Sequence, residues 1–177
     1  TGLDLTLRQP LGVVGLIVPW NFPMVIATWK LGPALASGNT VVLKPASLTP
    51  LSAIRLGELG LEAGLPPGVL NVVPGPGARV GQQMAGHPDI AKIAFTGETE
   101  TGRRIMATAA ETIKRVSLEL GGKSPNIIFA DVDLETAAKH ACASVFANAG
   151  QDCCARARVI VEKKAYPALV EAMASIA

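Results

Sequence analysis

The chain has 177 residues, of which 49% are hydrophobic, 4% aromatic and 17% charged, and its 16 Lys and Arg against 14 Asp and Glu leave a formal charge of +2. It is long enough to bury one sizeable core, too apolar for a disordered chain, and carries no basic run to hold nucleic acid or an anionic membrane surface. No stretch approaches the roughly 18–20 uninterrupted apolar residues of a membrane span, so a small ligand and a soluble chain are expected.

Short apolar runs alternate with longer helical patterns along the chain. Strands are predicted over residues 13–18, 40–44, 69–73, 90–95, 115–120, 126–129 and 158–161. Several are apolar on consecutive residues, as parallel strands buried on both faces are. After the second strand, Thr49 reads as an N-cap and Pro50 as the first residue of a helix that carries Leu51, Ile54, Leu56 and Leu59. That helix stops at Gly64 before Pro66 and Pro67. The third strand runs into a glycine-rich turn, Pro74-Gly75-Pro76-Gly77-Ala78-Arg79-Val80-Gly81, which opens a further helix. A helix over 98–110 follows Phe95-Thr96-Gly97, and an Ala-rich one runs from an Asp133 N-cap toward Asn148, with Gly150 just past its end. The last segment, from Tyr166, is amphipathic and runs to Ala177 without a glycine cap. Thr1 opens the chain without the regions of a signal peptide, and both ends read as cuts from something longer.

The order predicts an α/β fold with an open, mainly parallel sheet and helices on both faces. Glycine almost disappears after Pro125, which predicts a junction there: a nucleotide-binding domain over 1–124 and the start of a second α/β domain over 125–177. Ligands of such sheets bind outside the carboxyl ends of the strands, which directs attention to the turns at 19–23, 44–47, 74–81, 96–99 and 119–122.

Those turns hold the reactive residue types. The glycine-rich turn has the setting of a dinucleotide loop, but its Gly-x-Gly-x-x-x-Gly spacing is one residue too long, and a plain tight turn is the alternative. Gly150-Gln151-Asp152-Cys153-Cys154 places a cysteine where a helix turns into a strand. Cys153 is a nucleophile if nearby cations such as Arg156 or Arg158 stabilise its thiolate, or else a structural cysteine, which is also the reading for Cys142. Glu119, at a strand end among apolar neighbours, is either a general base or one half of an ion pair. Asn21 offers an amide that could hold an oxyanion or cap a turn. Three cysteines make no disulfide framework and suit a reducing compartment such as the cytoplasm. With His87 and His140 far apart and no Cys-x-x-Cys, no metal is expected.

Taken in order, Pro19-Trp20-Asn21-Phe22-Pro23, Leu43-Lys44-Pro45-Ala46, Phe95-Thr96-Gly97, Leu118-Glu119-Leu120-Gly121-Gly122-Lys123 and Phe146 with Gly150-Gln151-Asp152-Cys153 resemble the aldehyde dehydrogenase superfamily over nearly the whole chain. The resemblance implies oxidation of an aldehyde by NAD or NADP. Cys153 would be the nucleophile, Asn21 and the Cys153 N–H the oxyanion donors, and Glu119 the base that activates water. The cofactor would meet Val18, Pro19 and Trp20 after the first strand, Lys44 and Ser47 after the second, and Gly77 and Gly81 in the glycine-rich turn. It would also meet Phe95, Thr96, Gly97 and Glu98 after the fourth strand, and Leu120 and Gly121 after the fifth. Ser47 replaces an acid often found there and would not repel a 2′-phosphate, so NADP would be tolerated. Glu98 stands where a serine is common, beside the pyrophosphate. Trp20, Trp29 and Phe146 are candidates for the substrate path, with core packing the alternative for the last two. The resemblance also implies a homo-oligomer when full length. The alternative is a nucleotide-binding piece without activity of its own.

Overall fold

The computed structural model describes residues 2–177. The chain divides into two compact units, the first ending at Leu120 and the second spanning Gly121–Ala177. The division falls just ahead of the junction expected at 124.

In the first unit five strands form one sheet: β1 (Val13–Ile17), β2 (Thr40–Lys44), β3 (Leu70–Val72), β4 (Ile90–Gly97) and β5 (Arg115–Leu120). They stand in the order β3-β2-β1-β4-β5, and every neighbouring pair is parallel. Parallel neighbours cannot be joined by a tight hairpin, so each strand is followed by a crossover. α1 (Pro23–Ala36) links β1 to β2, and α2 (Leu51–Glu62) links β2 to β3. A single turn at Gly77–Gly81 with α3 (Gln82–Gly86) leads to β4, and α4 (Thr99–Ala110) leads to β5. This is the expected α/β arrangement, with helices on both faces.

The consecutive apolar residues of the inner strands follow from that layering. Val14 and Leu16 of β1 point with Val41 and Leu43 of β2 toward Ile26 and Leu31 of α1 and Ala53 of α2. Ile17, Ile93 and Phe95 point the other way, toward Met84 and Ala85 of α3 and Ile105 of α4. The edge strand β5 has helix cover on one face only and alternates between exposed and half-buried residues.

One helix was not expected and two helix starts differ from expectation. α1 starts at Pro23, a proline in its first turn, but Phe22 makes no side-chain cap and Pro33 sits inside the helix. Thr49 does not cap α2. Pro50 takes the cap position in a helical conformation, and the Thr49 hydroxyl is buried without a hydrogen-bond partner among the described residues. The other end of α2 is as read: Gly64 adopts φ +90°, the Leu65 N–H donates to Gly60 O at 2.9 Å and the Gly64 N–H to Leu61 O at 3.0 Å. That pair of bonds is a Schellman closure, which needs a left-handed residue at the turn. α4 begins one residue later than expected, because Glu98 is its cap rather than its first residue.

The second unit pairs β6 (Pro125–Ile128) with β7 (Arg158–Val161) in parallel, and packs α5 (Leu134–Phe146) and α6 (Tyr166–Ala174) around Ile128, Ala138, Ala141 and Leu169. Asp133 caps α5 as read, accepting the Thr136 N–H at 2.8 Å. After Phe146 the chain does not reach Gly150 as helix: Asn148 and Ala149 take φ of 51° and 55°, a left-handed turn that redirects the backbone before Cys153. No helix among the described residues is long and apolar enough to cross a membrane.

One strained position offers a direct check on the backbone. Ile113 lies in the turn between α4 and β5 at φ 53° with 91% of its surface exposed, so it occupies a left-handed conformation without a packing return. Left-handed geometry costs a residue with a Cβ about 1–2 kcal/mol. Ile113→Gly is expected to stabilise the chain by about 0.5–1 kcal/mol after glycine's own entropy cost, read as a higher denaturant midpoint.

Candidate functional site

The sheet order reverses direction at β1: β2 and β3 lie on one side of it, β4 and β5 on the other. A crevice forms outside the carboxyl ends at such a switch, because the crossovers on either side leave toward opposite faces. The register sets its walls, with Ile17 opposite both Lys44 and Phe95. A cleft of about 320 Å³ opens there, toward the low end of small-ligand pockets at roughly 300–1,000 Å³ and suited to part of a dinucleotide. Its walls include Val18, Pro19 and Trp20 beyond β1, Lys44 of β2, Gly77 and Gly81, and Phe95, Thr96, Gly97 and Glu98. The structure therefore gathers most of the cofactor residues named from sequence into one concavity.

Three of those residues lie elsewhere. Ser47 is exposed and donates its hydroxyl to Gly75 O at 3.1 Å, which ties the loop after β2 to the glycine-rich turn. Gly75 is the glycine that turn requires: its φ is +147°, and a Cβ there would stand 2.8 Å from Val80. Leu120 belongs to the core beneath α4 and packs against Gly102, and Gly121 opens the second unit. The cleft also has walls that sequence reading missed, Gln82, Thr101 and Ile105, together with Ala78 of the glycine-rich turn and Arg104. Thr101 and Arg104 follow Glu98 at helical spacing of three, which puts them on the face of α4 that Glu98 begins.

Two buried polar groups line the cleft. Thr96 is 6% exposed, and its hydroxyl has no hydrogen-bond partner among the described residues. An unsatisfied buried hydroxyl is costly, and a ligand hydroxyl or phosphate oxygen would satisfy it. Lys44 is 3% exposed; its ammonium donates to Pro45 O at 3.0 Å, and burial lowers its pKa from the ordinary lysine value. A cation held by a neutral carbonyl keeps donors for an incoming polar group.

Glu98 is placed differently from the pyrophosphate contact expected of it. Its carboxylate accepts the Thr101 N–H at 3.0 Å and the Thr101 hydroxyl at 2.8 Å, so it caps α4 from within. Those bonds hold its carboxyl below the usual carboxylate range. The helix end that could have received a phosphate already holds a negative charge.

Asn21 is half-buried in the turn between β1 and α1. Glu119 stands opposite Thr96 in the β4–β5 register but is exposed, so its own unit does not supply the apolar enclosure expected around it. Lys30 of α1, missed in sequence, feels that carboxylate. Burial lowers the Lys30 pKa, the charge of Glu119 opposes the shift, and Lys92 adds to it. In the second unit Cys153 is half-buried and Cys154 exposed, and neither is part of a disulfide. Arg158, expected to favour the Cys153 thiolate, instead donates its Nε–H to Lys123 O at 2.7 Å. Cys142 is buried with its sulfur 3.8 Å from Met173 O, the structural role read for it. Trp29 and Phe146 are 72% and 57% exposed, so neither packs in the core of its own unit.

The chain thus combines a parallel sheet with a cleft at its switch point and a unit with a cysteine on a helix-to-strand turn. The chain belongs to the aldehyde dehydrogenase family, whose profile it matches over residues 1–177. It is 54% identical over 171 residues to phenylacetaldehyde dehydrogenase of Pseudomonas fluorescens, covering 97% of this chain and 34% of that protein. It is 56% identical over 158 residues to betaine aldehyde dehydrogenase 1 of Oryza sativa, covering 89% and 31%. Among solved structures, an NAD⁺ complex of aldehyde dehydrogenase from Bacillus cereus superposes with a TM-score of 0.93 at 53% identity, covering 96% of this chain and 34% of that one. The chain thus spans about a third of the length of these relatives.

The two carboxylate caps predict an acid limit to stability. Asp133, like Glu98, is held below the usual carboxylate range, first by its bond from the Thr136 side chain and then by the Thr136 N–H. A depressed carboxyl contributes stability above its unfolded pKa and loses it as pH falls through the folded value. Unfolding free energy is expected to be flat through neutrality and to decline below about pH 4, with Glu98→Ala removing part of that decline in pH-resolved denaturation.

Proposed function

We propose that this chain is the cofactor-binding and nucleophile-bearing part of an NAD(P)-dependent aldehyde dehydrogenase of the hydrolytic type. The observation that carries the reading is the cleft at the β1–β4 switch, with an unsatisfied Thr96 hydroxyl and a buried Lys44 on its walls. The NAD⁺ complex of the Bacillus cereus relative supports it. Val18, Trp20, Gly77, Gly81, Phe95 and Gly97 would hold the cofactor in that cleft, with Lys44 toward its ribose and Ser47 on the loop outside the cleft. When bound, the nicotinamide supplies a hydride acceptor.

The chain's own residues supply the rest. The Cys153 thiolate adds to the aldehyde carbon, because a thiolate is both a strong nucleophile and a competent leaving group. The carbonyl oxygen becomes an oxyanion, for which the Asn21 amide and the Cys153 N–H are donors. Oxidation of that adduct leaves a thioester on Cys153. Glu119 takes a proton from water as the water attacks the thioester carbon, and the acid leaves with the thiolate regenerated. Glu119 needs a less exposed setting for that work than its own unit provides.

The aldehyde substrate, a homo-oligomeric state in the whole enzyme and a cytoplasmic location, suited to cysteines without a disulfide framework, belong to this proposal. The alternative is a stretch that binds nucleotide without turnover, and a specific observation favours it: residues of the chain match only about a third of each relative. Cofactor titration and aldehyde-dependent NAD(P)H formation by the 177-residue chain separate the two.

In the full-length enzyme, Cys153→Ala is expected to abolish oxidation while leaving cofactor affinity within about twofold. Glu119→Gln is expected to retain one rapid burst of NAD(P)H and then lose steady-state turnover by at least about 100-fold, and normal steady-state turnover would remove Glu119 as the base. Ser47→Glu is expected to lower kcat/KM for NADP⁺ by at least about tenfold relative to NAD⁺, since a carboxylate repels a 2′-phosphate.

A further inference from the structure

The turn between α5 and β7 carries a cluster that the catalytic reading uses only in part. Asp152, Cys153 and Cys154 bring one carboxylate oxygen and two sulfurs within 4.8 Å of one another. The sulfurs lie 3.8 Å apart. A disulfide would need them at about 2.05 Å, and between adjacent residues it would be strained. Two sulfurs each about 2.3 Å from a tetrahedral zinc ion stand about 3.8 Å apart, so the spacing, spanned here by a thiol hydrogen bond, suits a shared metal rather than a disulfide.

The third donor is positioned independently of the thiols. Asp152 Oδ1 accepts the Cys154 N–H at 2.8 Å, which holds the carboxylate on the turn that carries both sulfurs. A carboxylate with one oxygen engaged keeps the other for a cation. Cys153 is half-buried and Cys154 exposed, so an ion can enter from solvent.

We propose that Asp152, Cys153 and Cys154 form a site for a thiophilic divalent cation of the zinc and cadmium class. Two thiolates and one carboxylate oxygen supply three ligands, and water takes the fourth position. Binding is proton exchange without redox: the cation displaces one proton from each thiol, two sulfur–metal bonds form, and two protons leave to solvent. Soft thiolates favour such ions over magnesium or calcium. Contiguous ligands escape sequence reading because the recognised zinc patterns separate their cysteines by two to four residues. If Cys153 is the nucleophile, occupancy withdraws its thiolate and makes the site inhibitory, and this consequence alone rests on the function proposed above.

The test is titration of the reduced 177-residue chain with Cd²⁺ alone, followed by the sulfur-to-metal charge-transfer absorbance, and with Zn²⁺ in competition. One equivalent is expected per chain, with affinity falling by up to about 100-fold per pH unit where both thiols are protonated. Cys154→Ser is expected to weaken binding by at least about tenfold and Asp152→Asn by several-fold, while Cys142→Ser leaves it unchanged. In the unmodified chain, Zn²⁺ should protect Cys153 and Cys154 together from iodoacetamide, read by the mass of their shared peptide. Unchanged affinity in Cys154→Ser, no charge-transfer band, or no protection would overturn the site. The nucleophile reading is tested separately by turnover of Cys153→Ala in metal-free buffer, so either proposal can fail alone.

Discussion

In a sheet whose neighbouring strands all run parallel, every strand discharges its chain at the same edge. Each crossover must then carry the chain over one face and back to the opposite edge. For this protein that constraint governs the rest. It explains why β1 and β4 are apolar on consecutive residues, since α1 and α2 cover one face and α3 and α4 the other. It also forces a gap where crossovers part in opposite directions around β1. The polar backbone and side chains at the strand ends cannot be buried by a neighbouring element in that gap, so it is available to a ligand.

The chemistry of the cleft follows from this opening. Lys44 is the last residue of β2, where the strand still packs into the core but its ammonium reaches the edge, which gives a buried cation beside a neutral carbonyl. Thr96 lies near the end of β4 with its hydroxyl buried and unsatisfied among the described residues. Both arrangements cost free energy that a polar ligand would relieve. Glu98 shows the opposite logic: by capping α4 it satisfies the helix end itself, and that end is correspondingly poorer for phosphate.

Much of this was legible in the amino-acid sequence, for particular reasons. β2 and β5 match their predicted bounds because each is a short run flanked by turn residues. Gly64 and Asp133 were readable because a left-handed closure demands glycine and an exposed helix start rewards a short acid. α1 was not read, because Pro33 inside it and an uncapped Phe22 outweigh the one start signal, Pro23, and Ile26, Ala27 and Leu31 pack it into the core. Thr49 misled because its residue type suits a cap, yet its position in the loop buries the hydroxyl instead. Trp29 and Phe146 misled likewise, since large aromatic side chains ordinarily seek a core.

By itself, the sequence determined the layered α/β class, the order of its elements and the residue types able to do chemistry, because periodicity, caps and turns are local properties of the chain. Only the tertiary structure decided which of those residues share a space. It brought Val18, Lys44, Gly77 and Thr96, far apart along the chain, to one cleft, and it turned Ser47 to Gly75 and Leu120 into the core. The reason is physical: register, crossover direction and side-chain burial depend on contacts between distant segments, and no local pattern encodes them.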